Sequence, residues 1–183
     1  MIRHLNTLLI IVSALVLCSC GIYSFTGASI PAEAKTVSVQ YFPNNADLVQ
    51  PMLSSTITNT LRDYFMNQTT LNEVPQNGDL AIEGEIIGYS TAPTAITGNQ
   101  TAALNRLTIT VNVRFFNKYD ENKNFEQRFS QYEDYPSNMD LNSVQETLIE
   151  TICEKLCEDI FNNFSQIVSI SVSCIEFKSI LLG

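Results

Sequence analysis

The segment from Asn105 to Phe116 alternates apolar and polar residues without interruption. Its apolar positions are Leu107, Ile109, Val111, Val113 and Phe115, and its polar positions are Arg106, Thr108, Thr110, Asn112 and Arg114. A period of two is typical of a β-strand with one face in the core and the other in water. Because the apolar side must be covered by other elements, this pattern predicts a layered fold.

Three weaker stretches of alternation predict three further strands, at Thr36–Phe42, Leu80–Tyr89 and Phe125–Tyr135. The polar residues 117–124 favour a hairpin connection between the two last strands. Residues Ser90 to Ala103 carry no charge, and they predict a long loop of the kind that is uncommon unless it has a role.

Two segments have apolar residues spaced three or four apart, which predicts amphipathic helices from about Val49 to Asn67 and from about Asp140 to Phe164. The core face of the second helix is predicted to comprise Leu141, Val144, Leu148, Ile152, Leu156, Ile160 and Phe164. The order β-α-β-β-β-α indicates an α+β two-layer sandwich, with two helices packed on one face of a four-stranded, mostly antiparallel sheet.

The amino-terminal residues indicate where the protein works. A basic start at Arg3 is followed by the apolar run Leu8–Leu17, which is too short for the roughly 20 residues that a membrane-spanning helix needs. The sequence Leu17-Cys18-Ser19-Cys20-Gly21 then resembles a bacterial lipobox with Cys20 as the lipidated residue. A plain secreted protein cut near Ser19 is the alternative.

The chain therefore divides into a lipoprotein signal peptide at 1–19, a lipidated tether at 20–35, one domain at 36–165 and a tail at 166–183. The expected modification of Cys20 is an N-acyl chain, such as palmitate, and an S-diacylglycerol group. Stable anchoring takes more than one chain. The tail alternates again after Ser165, which fits either a fifth strand or a sequence altered by a frameshift.

Composition excludes several classes of function. A formal net charge of −9 repels nucleic-acid phosphates, so no nucleic-acid partner is expected. The single histidine, His4, lies in the predicted leader, so the processed chain has no imidazole for a catalytic triad or a zinc site. Cys153, Cys157 and Cys174 are interpreted as small buried apolar residues. No enzymatic activity, metal or cofactor is predicted beyond the covalent lipid.

Several motifs occur in the order of a known family. After the lipobox come Gly21-Ile22-Tyr23-Ser24-Phe25, then Val37-Ser38-Val39-Gln40-Tyr41-Phe42-Pro43-Asn44, then Gly78-Asp79-Leu80, and then Ala103-Leu104-Asn105-Arg106-Leu107-Thr108-Ile109-Thr110-Val111. In this order they resemble the LptE family of lipopolysaccharide-assembly lipoproteins, in its Bacteroidetes-type version. The resemblance covers about Met1 to Phe164, and the residues from Ser165 to Gly183 depart from it.

The resemblance implies a periplasm-facing protein that is lipid-anchored in the outer membrane and lies partly inside the lumen of an LptD-type β-barrel. It implies a role in barrel assembly and in the delivery of lipopolysaccharide to the outer leaflet. The alternative is an envelope lipoprotein that binds another ligand or transporter and has no role in lipopolysaccharide export.

Three arginines are the candidate contacts with lipopolysaccharide phosphates or with acidic groups of the barrel. Arg106 and Arg114 are predicted on the polar side of one strand, with Arg128 alongside on the next. Arginine binds phosphate through two parallel hydrogen bonds and keeps its charge. Cross-strand pairing with Glu83, Glu85 or Glu126 is the structural alternative.

Two further features have both a structural and a functional interpretation. The uncharged loop, including Ile96 and Gln100, is predicted either to contact the barrel or to be a surface loop. The second helix is predicted to carry an acidic ridge of four glutamates spaced four residues apart: Glu146, Glu150, Glu154 and Glu158. This ridge is interpreted either as the solvated face of the helix or as a contact for basic groups or divalent cations.

Overall fold

The computed structural model describes residues 30, 33–94 and 103–180 of the 183-residue chain, with side chains as far as residue 167. Its sheet has five strands: β1 (Thr36–Val39), β2 (Asn72–Glu73), β3 (Leu80–Pro93), β4 (Leu104–Asn117) and β5 (Phe125–Pro136). The helices are α1 (Pro51–Gln68) and α2 (Leu141–Ile180), and a short 3-10 helix spans Glu121–Lys123.

The strand order is β2-β1-β3-β4-β5, and the sheet is mixed. β1 pairs in parallel with both β2 and β3, whereas β3, β4 and β5 form an antiparallel meander. The α+β class and the two helices are confirmed. The prediction of four mostly antiparallel strands is wrong in detail, because β2 has only two residues and no alternation to reveal it.

Alternation along β4 divides the sheet into two faces. The predicted apolar positions from Leu107 to Phe115 are all buried and at most 1% exposed, whereas the polar positions between them stay partly exposed. Both helices cover the apolar side, which we call the closed face. The side without a helix among the described residues is the open face.

Helix α1 begins at Pro51, a residue suited to the first turn because its missing N–H has no intrahelical partner there. Leu53, Ile57, Leu61 and Phe65 recur every four residues and are buried against the sheet. Buried Thr58 ties α1 to the segment that follows β1, since its hydroxyl donates to the Ser54 carbonyl at 2.7 Å and accepts from Phe42 N at 3.1 Å.

Helix α2 packs against α1 and the sheet through an aromatic cluster. The ring of Phe164 lies 5.1 Å from those of both Phe65 and Phe115, and Phe161 lies 5.1 Å from Phe65. Leu148, Ile152, Leu156, Ile160 and Phe164 are buried as predicted, and Leu141 and Val144 are half-buried.

Three predicted boundaries are wrong, and the first is that of β1, which ends at Val39 instead of continuing to Phe42. β3 continues to Pro93 instead of ending at Tyr89, because cross-strand pairing with β4 extends as far as Pro93 and Asn105. α2 continues to Ile180 instead of ending near Phe164, so the fifth strand after Ser165 is not formed. No Pro or Gly interrupts the chain between Asp140 and Gly183, so nothing in that stretch stops a helix.

Candidate functional site

The open face presents side chains from three strands in register. On β4 they are Arg106, Thr108, Thr110, Asn112, Arg114 and Phe116. The facing positions on β5 are the even residues, and Glu83 and Glu85 come from β3. Because alternate residues of a strand share a face, the charged groups that sequence analysis singled out meet on one surface.

Arg106 is held in a compact cluster at one end of this face. Its Nε and Nη2 atoms donate to the two carboxylate oxygens of Asp134 at 2.7 and 2.9 Å, which is the bidentate geometry of a strong ion pair. Its guanidinium carbon lies 3.6 Å from the ring centroid of Tyr132. The hydrogen bonds with Arg106 lower the pKa of Asp134, and the same bonds raise the pKa of Arg106.

Arg114 lies among three carboxylates near the other end. The nearest is Glu85, 3.3 Å away, and those of Glu126 and Glu83 lie at 3.9 and 4.0 Å. Glu85 also accepts a 2.7 Å hydrogen bond from Asn45 Nδ2. This bond, followed by the contact with Arg114, lowers the pKa of Glu85. The cross-strand pairing considered from the sequence is therefore present at Arg114.

Arg128 lies opposite Asn112 on the same face, as the sequence suggested. It is exposed, and among the described residues it forms no ion pair within 4.0 Å. Asn112 instead donates to Glu126 at 2.7 Å. Of the three candidate arginines, Arg128 alone has a guanidinium group that is not engaged by a carboxylate in the described part of the chain.

A further polar centre, which sequence reasoning missed, lies where β1 and β3 begin. One carboxylate oxygen of Asp79 accepts hydrogen bonds from the backbone N–H of Lys35 and from the N–H and hydroxyl of Thr36, at 2.9 to 3.2 Å. Its other oxygen accepts from the Tyr119 hydroxyl at 3.1 Å. These bonds hold the pKa of Asp79 far below its usual range.

Gly78, beside Asp79, has no room for a side chain. A Cβ atom there would lie 2.6 Å from Ser38 N and 2.8 Å from the Leu80 carbonyl oxygen. The Gly78-Asp79 pair thus lets two parallel strands start side by side and ties them to the loop after β4. In the sequence this motif predicted only the start of a strand. The hydrogen-bond partners of Asp79 could not be predicted, because they are 40 or more residues away in the chain.

The acidic ridge of α2 is solvent-facing where described, since Glu146, Glu150, Glu154 and Glu158 are all exposed. The helix reaches β5 through a different row of side chains. Lys155 pairs with Glu133, Gln131 donates to Asp159 at 2.5 Å, and Asn163 donates to Gln127 at 3.1 Å.

Cys153 and Cys157 are free, buried thiols, as interpreted from the sequence. Burial raises the pKa of Cys153 to about 12 and raises that of Cys157 further, so neither has the thiolate character of a reactive cysteine. Within the described residues, no group of three or more His, Cys, Asp or Glu side chains is placed to hold a metal ion.

Three groups of predictions fall outside the described residues: lipidation of Cys20, contacts of Ile96 and Gln100, and the state of the Cys174 side chain. The structure shows where the loop starts and ends. Thr94 N donates to the Leu104 carbonyl at 2.9 Å, so the two strands stay paired up to residues 94 and 104. In the described part of the chain, no helix is long and apolar enough to cross a membrane.

The fold and this surface define a class: a two-layer α+β domain with one sheet face buried by helices and the other lined by paired charges. The sequence matches the LptE family, described as lipopolysaccharide-assembly, over residues 34–164. The chain belongs to the LptE family. A comparison with curated proteins found no match.

The solved structures to which this chain shows similarity include three bacterial lipoproteins, each 13% identical to it. A minor lipoprotein from Acinetobacter baumannii has a TM-score of 0.48, with coverage of 73% of this chain and 94% of that one. An uncharacterized lipoprotein B from Nitrosomonas europaea has 0.46, with 86% and 96% coverage. Rare lipoprotein B from Shewanella oneidensis has 0.44, with 79% and 99% coverage.

Proposed function

We propose that this protein is an outer-membrane-anchored, periplasm-facing subunit of a lipopolysaccharide translocon. It is held by lipid chains on Cys20, supports assembly of an LptD-type barrel and assists delivery of lipopolysaccharide to the outer leaflet. The observation that carries the proposal is the family match across residues 34–164, which covers all five strands of the sheet, the whole of α1 and α2 as far as Phe164. The family is one of non-enzymatic assembly lipoproteins, so the protein acts by binding.

The open face supports a binding role because it exposes polar groups in ordered positions. A lipopolysaccharide phosphate or an acidic barrel group that approached Arg106 would have to displace a bidentate carboxylate, and at Arg114 it would meet three carboxylates. Arg128 needs no such displacement. We therefore assign the first anionic contact to Arg128, with Arg106 and Arg114 keeping the surrounding face ordered.

The uncharged segment between Thr94 and Ala103 is proposed to contact the barrel. The strands that carry it, β3 and β4, are paired to their ends, so they present this segment from a rigid hairpin. A segment without charge avoids the large desolvation cost of burying an unpaired charge against a barrel wall. Photocrosslinkers at Ile96 and Gln100 are expected to capture the barrel protein, whereas one at exposed Glu146 on α2 serves as the comparison.

Co-purification tests the proposal as a whole. Full-length protein extracted from its own membranes in mild detergent is expected to retain a large barrel protein, identified by mass spectrometry. Cys20→Ala is expected to remove the lipid and to release the protein from the membrane fraction. An intact lipoprotein that came out alone, or with another envelope partner, would contradict the translocon role and favour the alternative envelope function.

Lipopolysaccharide binding tests the assignment of the arginines. Arg128→Ala is expected to weaken affinity about tenfold, as for the loss of one charged hydrogen bond. Lys118→Ala removes an exposed cation at the end of the sheet and is the matched control. If Arg128→Ala bound as tightly as Lys118→Ala while Arg106→Ala did not, the assignment among the arginines would be wrong.

A further inference from the structure

A cavity lies at the end of the open face where β1 and β3 begin. Its volume is about 570 Å³, which is within the usual range of small-molecule sites. Ala81 of β3 and Phe116 of β4 pair across the sheet, and both line the cavity. The other lining residues are polar and come from the segment before β3, from β3 itself and from the connection between β4 and β5. The cavity thus combines one aromatic ring with a polar border.

Phe116 provides the aromatic surface of this cavity. It is 40% exposed, whereas its chain neighbours Phe115 and Asn117 are buried. It also lines a second cavity of about 270 Å³, together with Arg114 and Glu126. A phenyl ring that is exposed beside two cavities is accessible to a ligand that packs on it.

Asn117 lines the same cavity, and one end of its amide group has no partner. The Oδ1 atom accepts hydrogen bonds from Tyr119 N at 2.9 Å and from Asp120 N at 3.2 Å, which identifies the other end as the Nδ2 donor. Nδ2 is buried and has no hydrogen-bond acceptor among the described residues. A buried donor without an acceptor is unfavourable and rare, so a ligand oxygen is the partner that this group lacks.

The border of the cavity is negatively charged. Asp79, Glu83 and Glu121 line it, against Lys118 as the one cation among the described lining residues. The Nζ atom of Lys118 lies 3.5 Å from the carboxylate of Asp79, so this cation is already paired. Such a border repels phosphate groups and suits a ligand that is uncharged or carries an amine.

We propose that this cavity binds a pyranose ring of a phosphate-free saccharide. The C–H groups on one face of such a ring carry small positive charges and pack on the negative face of an aromatic side chain, here that of Phe116. Its hydroxyl groups both donate and accept, so they can donate to Glu83 and Glu121 and accept from Asn117 Nδ2. A metal ion would use neither the ring nor the amide, and the described residues contain no group of three potential metal ligands.

The saccharide site is separate from the anionic contact assigned to Arg128. Arg128 faces Asn112, which lies four residues before Phe116 on β4, or about 13 Å along the strand. A phosphate-free sugar could come from the outer part of lipopolysaccharide or from the glycan strands of peptidoglycan. The choice between these sources rests on the proposed location of the protein, whereas the site itself does not.

Glycan binding by the full-length protein in mild detergent tests the site. Three probes are compared: the phosphate-free outer saccharide released from lipopolysaccharide, a trisaccharide of N-acetylglucosamine, and the phosphorylated inner core. At least one of the first two is expected to bind, and more tightly than the inner core. Binding of the outer saccharide alone identifies lipopolysaccharide as the source, and binding of the trisaccharide alone identifies peptidoglycan.

Variants then test which groups make the contact. Phe116→Ala is expected to weaken affinity for the best glycan about tenfold, and Phe116→Tyr to retain it, because the ring is kept. Asn117→Asp keeps an oxygen for Tyr119 N and Asp120 N but removes the Nδ2 donor, so a severalfold loss is expected. Tyr41→Ala is the matched control, since it removes an exposed ring outside the cavity and leaves affinity unchanged. Circular dichroism melts establish that each variant is folded.

The proposal would be overturned if the folded protein bound neither phosphate-free glycan, or if it bound the phosphorylated core more tightly. Equal losses in Phe116→Ala and Tyr41→Ala would also overturn it. If Phe116→Ala released the barrel protein in a protein that bound no glycan, the occupant of the cavity would be a protein side chain instead. Because glycan binding does not require the barrel, the co-purification and the glycan experiments can fail separately.

Discussion

The two faces of β4 share one backbone but differ in the burial of their side chains. On the closed face, Phe115 stacks 5.4 Å from Phe125 and lies 5.1 Å from Phe164, and it is 1% exposed. On the open face its neighbour Phe116 is 40% exposed. The comparison indicates that stability resides mainly in the closed face, while the open face contributes recognition through charges that are ordered by their neighbours.

The largest effect is expected from Phe115→Ala. Removing a buried ring that contacts two others leaves a cavity and is expected to lower the free energy of unfolding by about 3–5 kcal/mol. Phe116→Ala makes the same chemical change one residue away on the open face, with an expected cost below about 1 kcal/mol. Urea denaturation measures both. Equal losses would mean that the two faces are not energetically distinct.

A smaller loss is expected from Gly84→Ala on β3. A Cβ atom there would overlap the Phe42 ring and would lie 2.7 Å from the Asn112 carbonyl oxygen, so either the ring or the strand pairing must shift. Overpacking of this kind typically costs about 1–3 kcal/mol. Gly88→Ala on the same strand is the control, since the nearest atom to its Cβ would be Thr110 Cβ at 3.2 Å and the nearest backbone atom Thr110 N at 3.9 Å. Thermal unfolding of both variants distinguishes crowding from a general effect of removing glycine.

The acid stability of the fold is expected to depend on Asp79. Because its folded pKa is lowered, the stability that it contributes is fully present above its unfolded pKa of about 4 and is lost as the pH falls toward the folded value. Asp79→Asn should therefore lower stability at neutral pH and flatten its decline below about pH 4. Exposed Asp47→Asn removes a carboxylate without removing these bonds. If the free energy of unfolding of Asp79→Asn fell with decreasing pH as steeply as that of the unsubstituted protein, the role assigned to this carboxylate would be contradicted.

The smallest effect on stability is expected from Arg106→Ala, because the pair with Asp134 is partly exposed and solvent screens it. Its loss should be smaller than that of Gly84→Ala and should shrink further in high salt. A double-mutant cycle with Asp134→Ala measures the coupling between the two side chains. A loss comparable with that of Phe115→Ala would show that the open face is part of the stabilising core.

Much of the fold could be predicted because the relevant signals are local. The period of two from Leu107 to Phe115 specifies which side chains are buried, and the period of about four from Leu53 to Phe65 specifies the buried stripe of α1. The same alternation correctly placed Arg106, Arg114 and Arg128 on one face.

The ion-pair partners of those arginines could be predicted only in part. Glu83, Glu85 and Glu126 were recognised as possible cross-strand partners of the three arginines, and the structure places all three carboxylates beside Arg114. The bidentate pairing of Arg106 with Asp134 depends on the register at the far end of β5, 28 residues along the chain. The two-residue β2 has no pattern that could announce it, because its strand character comes from pairing with β1.

The sequence by itself determined the alternating faces, the two amphipathic helices and the family to which the chain belongs, because each of these depends on residue types at short spacing. Only the tertiary structure decided the mixed sheet, the four hydrogen bonds that the Asp79 carboxylate accepts, and the ion pairs that Arg106 and Arg114 form. These features join residues that are distant in the chain, and their energies exist only once the strands have been brought into register.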